Sequence, residues 1–173
     1  TSSQEGYLLH ETFDKCQGTG GNEGGFAPPM LGQNFATATF SPDVEGWTCT
    51  YQKGGSQCGR FGTTIAKNVV VESPSFELNG TATLAFKCAP LGKENFALEL
   101  SSDNADLINT HVDMPSGKWT DFSTIIKANG SVKLTFTSSH AFFLDEVNVT
   151  ASSTGINSQE IKSFQNAPYT YIY

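Results

Sequence analysis

The chain has 173 residues, of which 38% are hydrophobic and 16% charged, and its formal net charge is −7 at pH 7. This length is typical of a single domain. Nucleic-acid binders and proteins that attach to anionic membranes need clustered Lys and Arg side chains. The chain contains no such cluster and no run of about 20 apolar residues. We therefore expect no nucleic-acid partner and no membrane insertion.

The predicted elements are strands separated by turns. Alternation of apolar and polar residues, which places one face of a strand in the core and the other in water, is clearest in residues 82–89, 95–100 and 131–137. In chain order, the predicted strands cover residues 7–14, 46–51, 68–71, 82–89, 95–100, 118–127, 131–137 and 141–150. Regularly spaced short strands predict an all-β sandwich of two antiparallel sheets, a jelly roll without long helices.

Two segments have compositions that do not suit strands. Residues 15–34 are rich in glycine and contain Pro28-Pro29, which predicts a surface loop whose amide hydrogens exchange faster than those of the strands. From residue 151 onward the sequence turns polar. The sequence thus predicts a β-sandwich domain over residues 1–150 and a linker or tail over residues 151–173.

The cysteines allow two interpretations. Cys16, Cys49, Cys58 and Cys88 lack the C-x-x-C spacing of zinc and redox sites. Cys49 and Cys58 flank a Gly-rich turn, so a disulfide can join them. The alternative is that all four are buried thiols that pack as small hydrophobic side chains.

Two carboxylates are predicted in apolar surroundings. Glu11 shares a strand face with hydrophobic residues at positions 9 and 13, and Asp145 shares one with those at 143, 147 and 149. First and last strands commonly pair in sandwiches, which would bring the two acids together. A buried carboxylate is unfavourable without a partner, so a cation such as calcium is expected. Two alternatives remain: Arg60 bridges the acids, or a β-bulge shifts the faces and leaves both in water.

The sequence favours binding over catalysis. His10, His111 and His140 are far apart, and no G-x-S-x-G, H-E-x-x-H or P-loop motif is present. A glycosidase needs two carboxylates facing one cleft. The acids at positions 94, 99, 103, 106 and 113 can in principle supply such a pair, but solvated strand edges and loops suit them better. We therefore expect a protein that is not an enzyme.

Aromatic side chains are the candidate ligand contacts of such a binding module, because the apolar face of a ligand stacks on a ring. Trp47 and Tyr51 share a strand face near a Gly-rich turn, and Trp119 follows Gly117. The alternative is that each Trp lies in the core.

An ordered series of short motifs extends over most of the chain. They are Glu11-Thr12-Phe13-Asp14, Gly59-Arg60-Phe61-Gly62-Thr63, Ser73-Pro74-Ser75-Phe76, Thr83-Leu84-Ala85-Phe86, Gly117-Lys118-Trp119 and Phe143-Leu144-Asp145-Glu146-Val147. In order and spacing this series resembles the jelly-roll domains grouped as choice-of-anchor J and cleaved-adhesin domains. These are similar to MAM domains and to carbohydrate-binding modules of the galactose-binding-like fold. The resemblance covers residues 7–150.

The resemblance implies a bacterial protein, secreted or held at the cell surface, with a non-catalytic module for carbohydrate binding or cell adhesion. It also implies a structural cation, for which we expect calcium, between the first and last strands. Glu11 and Asp145 match the family's cation positions, and Asp14 is an additional candidate. We expect a monomer whose partner is a glycan or a host or surface protein, and a tail that leads toward a further C-terminal segment. The alternative function is a structural spacer or a protein–protein adhesion module.

Overall fold

The computed structural model describes residues 7–18, 20–22, 26, 39–62 and 68–151. Within these ranges the chain forms twelve strands and no helix, which confirms the predicted all-β class. No helix in this part of the chain is therefore long and apolar enough to cross a membrane. The strands are β1 Tyr7–Glu11, β2 Thr48–Cys49, β3 Gln52–Gly54, β4 Gly59–Phe61, β5 Val69–Glu72, β6 Phe76–Pro90, β7 Phe96–Ser102, β8 Ala105–Leu107, β9 His111–Met114, β10 Thr120–Val132, β11 Leu134–Ser138 and β12 Phe142–Ala151.

The strands form the two antiparallel sheets of a jelly roll. The seven-stranded sheet has the order β3-β4-β12-β6-β10-β8, and β1 also pairs with β12. The five-stranded sheet has the order β2-β5-β11-β7-β9. The predicted pairing of the first and last strands is confirmed, since Glu11 lies opposite Val147.

The core lies between the sheets and follows the predicted alternation. Leu84, Phe86 and Cys88 of β6 are buried in it, as are Leu134 and Phe136 of β11. A fully buried Leu or Phe side chain stabilises a fold by about 1.5–3 kcal/mol relative to an exposed one. The strand faces that are clearest in the sequence therefore form the core.

The face predicted for β12 is wrong beyond Asp145. Phe142 and Leu144 point into the core, whereas Phe143 belongs to a second apolar cluster, which it forms with Cys58, Leu91 and Ala141. A bulge between Asp145 and Asn148 then adds a residue and returns Val147 to the core. Glu146 in this bulge has φ 51°, a conformation uncommon for residues other than glycine. Asp145 therefore does not share a face with Val147 or Val149.

The cysteines are free thiols. No disulfide joins any of the four; Cys16, Cys58 and Cys88 are buried and Cys49 is half-buried. Burial raises the pKa of Cys16 to about 11 and that of Cys88 to about 12, so both stay neutral near pH 7. The interpretation as buried thiols is thus confirmed for three of them, and the proposed Cys49–Cys58 disulfide is wrong.

The predictions for the Gly-rich segment and the tail lie largely outside the described residues. Of residues 15–34, only 15–18, 20–22 and 26 are described, and the description ends at residue 151. The rapid amide exchange of the first segment and the linker role of the second stay predictions.

Candidate functional site

Glu11 is completely buried and has a full set of hydrogen-bond donors. Its Oε2 accepts from the backbone N–H groups of Phe13 and Asp43, at 2.9 and 2.7 Å. Its Oε1 accepts from the Val44 backbone N–H at 2.9 Å and from Trp47 Nε1 at 3.0 Å. A carboxylate offers about four lone-pair sites, so none is left for a cation. The structure thus assigns Glu11 to the core, where it ties residues 43–47 to β1, rather than to a cation site.

Trp47 is a core residue as well. Its ring is buried and packs against Phe13 at 5.2 Å and Phe136 at 6.2 Å between centroids. The indole is therefore inaccessible to a ligand, and the prediction of Trp47 as a ligand contact is wrong. Tyr51 is half-buried beside β3, with Lys53 Nζ 5.9 Å from its ring centroid.

Asp145 is buried on the outer side of the seven-stranded sheet, opposite the exposed Lys87. Only 5% of the residue is exposed. Its carboxylate accepts from Asn22 Nδ2 at 3.1 Å and from the Glu146 backbone N–H at 3.0 Å. Burial raises the pKa of Asp145 to about 6, although the Asn22 hydrogen bond opposes the change. This carboxylate is much less well satisfied than that of Glu11.

Three acids converge at this point. Asp14, Asp145 and Glu146 each place one carboxylate oxygen within 4.8 Å of the others. The pKa of Glu146 is raised, first by burial and then by the charge of Asp14, while Lys87 opposes the increase. The group thus contains two of the three predicted metal ligands, with Glu146 in place of Glu11. Oxygen ligands of this kind are those that calcium accepts.

The bulge assumed by one alternative to a cation site is present in β12, but the exposure expected from it, and the Arg60 bridge of the other alternative, are not. Glu11 and Asp145 are both buried, so the acids do not lie in water. Arg60 is buried on β4 opposite Phe143. Among the described residues, however, it forms no ion pair with Glu11 or Asp145. Arg60 therefore bridges neither acid.

The outer face of the seven-stranded sheet carries an open groove of about 340 Å³. Strand register aligns its side chains in rows across the sheet. One row contains Ser123, Ala85, Asn148 and His10, from β10, β6, β12 and β1 respectively. The first three residues of this row line the groove and form its floor, since Ala85 and Ser123 are short, whereas His10 lies just beyond its end.

Different side chains border the floor on its two sides. On one side lie Asp121 of β10, Lys87 of β6 and Glu146 of the bulge, which also line the groove. On the other side the register aligns the following residues: Ile125, Thr83, Thr150 and Tyr7. Ile125 and Tyr7, at the two ends of this second row, are 43% and 37% exposed. The charged row thus lines the groove, whereas the second row lies beyond the lining residues and continues the outer face of the sheet with apolar ends.

Trp119 is the one predicted aromatic contact that lies near the groove. It precedes Asp121 by two residues, which on an extended chain is about 7 Å. The ring is half-buried, 5.5 Å from the Phe26 ring and 6.3 Å from the Phe143 ring. Trp119 therefore belongs mainly to the second apolar cluster, whose edge adjoins the charged row of the groove.

Several groove residues have no distinguishing signal in the sequence. Lys87, Asp121, Ser123 and Asn148 line the groove, and His10 adjoins it. The only sequence signal for them is their place at outward positions of alternating strands, which many other residues share.

The opposite outer face, on the five-stranded sheet, carries a second depression of about 290 Å³. It is lined by Glu72, Ser101, Ser102, Asp103, Lys133 and Thr135. On the same sheet, exposed His111 lies 2.9 Å from Asp113 and also contacts Glu99, and hydrogen bonds to these carboxylates raise the pKa of His111. Because both acids pair with a histidine on an exposed surface, this arrangement does not resemble two carboxylates facing a cleft.

Comparisons with known proteins identify the fold. No family model and no curated protein matches the chain. The CBM22-1 xylan-binding domain from Paenibacillus barcinonensis Xyn10C superposes with a TM-score of 0.57 at 14% identity, over 86% of this chain and 96% of that domain. The CBM22-1-CBM22-2 tandem from the same protein gives 0.58 at 13% identity over 88% of this chain, which spans 47% of the tandem.

An adhesin domain is a more distant structural neighbour. The K3 cleaved adhesin domain of Lys-gingipain from Porphyromonas gingivalis gives a TM-score of 0.49 at 15% identity, over 84% of this chain and 99% of that domain. The superpositions on the two CBM22 structures show a shared jelly-roll fold. At these low identities they show nothing more specific. Membership of the choice-of-anchor J or cleaved-adhesin families stays a prediction.

Proposed function

We propose that this domain is a non-catalytic module that binds a carbohydrate chain in the groove across the seven-stranded sheet. The observation that carries the proposal is the composition of the three rows. Sugar rings of a bound chain pack their apolar faces against Ile125 or Tyr7, beside the groove, while hydroxyl groups of the chain reach the charged row. The short side chains of Ala85 and Ser123 leave room for the sugar rings between the two rows.

The groove offers both kinds of hydrogen-bonding group that a polyol needs. The carboxylates of Asp121 and Glu146 accept from hydroxyl groups, and Lys87 and Asn148 donate to them. The fold shared with a xylan-binding domain supports a polysaccharide as the ligand class. The proposal places the domain in a secreted or cell-surface protein of a bacterium.

Affinity electrophoresis in gels that contain xylan, mixed-linkage β-glucan, β-1,4-galactan or laminarin tests the proposal. We expect at least one polysaccharide to retard the native domain. Lys87→Ala should weaken that binding about tenfold, since a hydrogen bond to a charged group contributes about 1.5–3 kcal/mol. Lys133→Ala, in the depression on the opposite face, is the matched control and should bind normally.

Other results of this experiment would replace the proposal. If no polysaccharide retards the native domain, the spacer or protein-adhesion function takes its place. If Lys133→Ala weakens binding and Lys87→Ala does not, the ligand binds the five-stranded sheet. Release of new reducing ends from a bound polysaccharide would mean that the domain is an enzyme.

We further propose that Asp14, Asp145 and Glu146 hold a structural calcium ion. Their oxygens fit a hard cation because three carboxylates converge and the buried one lacks the donors that Glu11 has. The ion would neutralise acids that otherwise repel one another, and would tie the end of β1 to the bulge of β12. Since Glu146 also lines the groove, the ion would steady the charged row.

A further inference from the structure

We infer that His10 is a positioning residue of the groove, which holds the Asn148 amide so that its NH₂ group faces the ligand. This inference rests on the proposed function. His10 lies directly opposite Asn148 in the pairing of β1 with β12. Its Nδ1 is 2.6 Å from Asn148 Oδ1. Asn148 lines the groove and His10 does not, so His10 acts through the amide.

The contact with Glu146 determines which way the Asn148 side-chain amide points. Asn148 Nδ2 donates to the Glu146 carbonyl at 3.5 Å, which turns Oδ1 toward His10, so Nδ1 of His10 must carry the hydrogen that it donates to Oδ1. A flipped amide would place its oxygen against the Glu146 carbonyl, and that pair would be repulsive. The second N–H of Asn148 Nδ2 thus faces the groove, where it can donate to an acceptor oxygen on the ligand.

The His10 ring is itself held in place. It packs against the Tyr7 ring with centroids 4.3 Å apart and an interplanar angle of 32°. Tyr7 belongs to the row with apolar ends, and Asn148 belongs to the floor. The contacts of His10 with both residues therefore connect the row to the floor. A preorganised donor binds more tightly than one that must be ordered by the ligand. His10 therefore contributes to affinity without contacting the sugar.

Two substitutions of His10 separate the effect of its N–H donor on binding from the effect of its ring. His10→Phe keeps a ring beside Tyr7 but removes the donor. His10→Asn loses the ring and provides an amide N–H near the position of Nδ1. We expect about fivefold weaker binding to the retarding polysaccharide for His10→Phe, as for one lost hydrogen bond, and binding close to native for His10→Asn. His111→Phe, on the opposite face, is the matched control and should bind normally.

A double-mutant cycle tests whether His10 acts through Asn148. In the Asn148→Ala background, His10→Phe should cause no further loss of affinity. Normal binding by His10→Phe alone would overturn the inference. So would a full additional loss in the double variant, because His10 would then contact the ligand directly.

NMR of the free domain tests the inference even if no polysaccharide binds, an outcome that would remove the proposed function alone. We expect the Asn148 side-chain NH₂ resonances to shift and to exchange faster with water in His10→Phe, and to stay near their native positions in His10→Asn. The native imidazole should show an Nδ1–H tautomer. Unchanged Asn148 resonances in His10→Phe would overturn the inference.

Discussion

Glu11 and Asp145 are two carboxylates on paired strands and are almost equally buried. They differ in their hydrogen-bond partners and in the charges around them. Glu11 faces the core and accepts four hydrogen bonds from N–H groups. Asp145 faces the outer side, accepts two from the residues that the structure describes, and lies beside two further acids. The number of donors, rather than the depth of burial, therefore separates a carboxylate that stabilises the fold from one suited to bind a cation.

The difference arises from what surrounds each acid. The segment at residues 43–47 wraps around Glu11 and brings two backbone N–H groups and the Trp47 indole to it. Asp145 lies at the bulge, where its neighbours are Asp14 and Glu146. Accordingly, we expect substitutions of Glu11 to affect folding and those of Asp145 to affect ion binding and pH dependence.

The largest expected effect is the loss of stability when Glu11 is replaced by Ala. The substitution leaves four N–H groups without their acceptor in the core, so the free energy of unfolding should fall by about 3–5 kcal/mol. Urea unfolding measures this change. Glu45→Ala, an exposed position in the same segment, is the matched control and should stay within about 0.5 kcal/mol of the native protein. Equal losses in the two variants would show that Glu11 has no special role.

Calcium should produce the next largest effect. At a free concentration of one hundred times Kd, a bound ion adds about 2.7 kcal/mol. For a domain of this size that corresponds to a rise in Tm of about 5–10 °C. Differential scanning calorimetry with calcium and with a chelator measures it.

Three variants show which acid is responsible for the calcium response. Asp145→Asn should abolish the rise in Tm, whereas Glu45→Ala should keep it. Folded Glu11→Gln should also keep it, from a lower starting Tm. A response that survives in Asp145→Asn, or is missing in the native protein, would contradict the proposed ion site.

The smallest expected effect is the pH dependence of the metal-free protein. Burial raises the pKa of Asp145 to about 6, whereas an unfolded Asp has a pKa of about 3.9. Between these values the folded state binds more protons than the unfolded state. Its free energy of unfolding should therefore fall as the pH rises from about 4 to about 6 and level off above, by a total of about 1–3 kcal/mol.

Asp145→Asn should lose this component, so the variant and the native protein should differ most above pH 6, with the variant the more stable. Urea unfolding in the presence of a chelator at pH 4.5, 6 and 7.5 measures the difference. Parallel pH profiles for the two proteins would mean that Asp145 has an ordinary pKa.

The local sequence pattern was sufficient to predict strands, the fold class and much of the core. Leu84 and Phe86 of β6 and Leu134 and Phe136 of β11 are buried as their alternation indicates. Alternation predicts burial here because each strand has one face in the core and one in water. The pattern can therefore be recognised within a single strand, without knowledge of its neighbours. Pairing of the first and last strands also followed from the sandwich architecture.

The face on which Asp145 lies and the hydrogen-bond partners of Glu11 depended on tertiary structure. The bulge at Glu146 moved Asp145 out of register with Val147, and no glycine marks it in the sequence. Two of the donors to Glu11 are backbone N–H groups more than 30 positions away, at residues 43 and 44. Every residue except proline has such a group, so their residue types could not reveal this contact.

The candidate site was likewise decided by register. Ser123, Ala85, Asn148 and His10 form one row only because four strands from distant parts of the chain pair in one particular alignment. A shift of one residue in any pair would turn that strand's side chains to the other face. The sequence therefore determined which residues are polar and outward along each strand. Only the tertiary structure decided which of them meet, because long-range pairing sets the neighbours across a sheet.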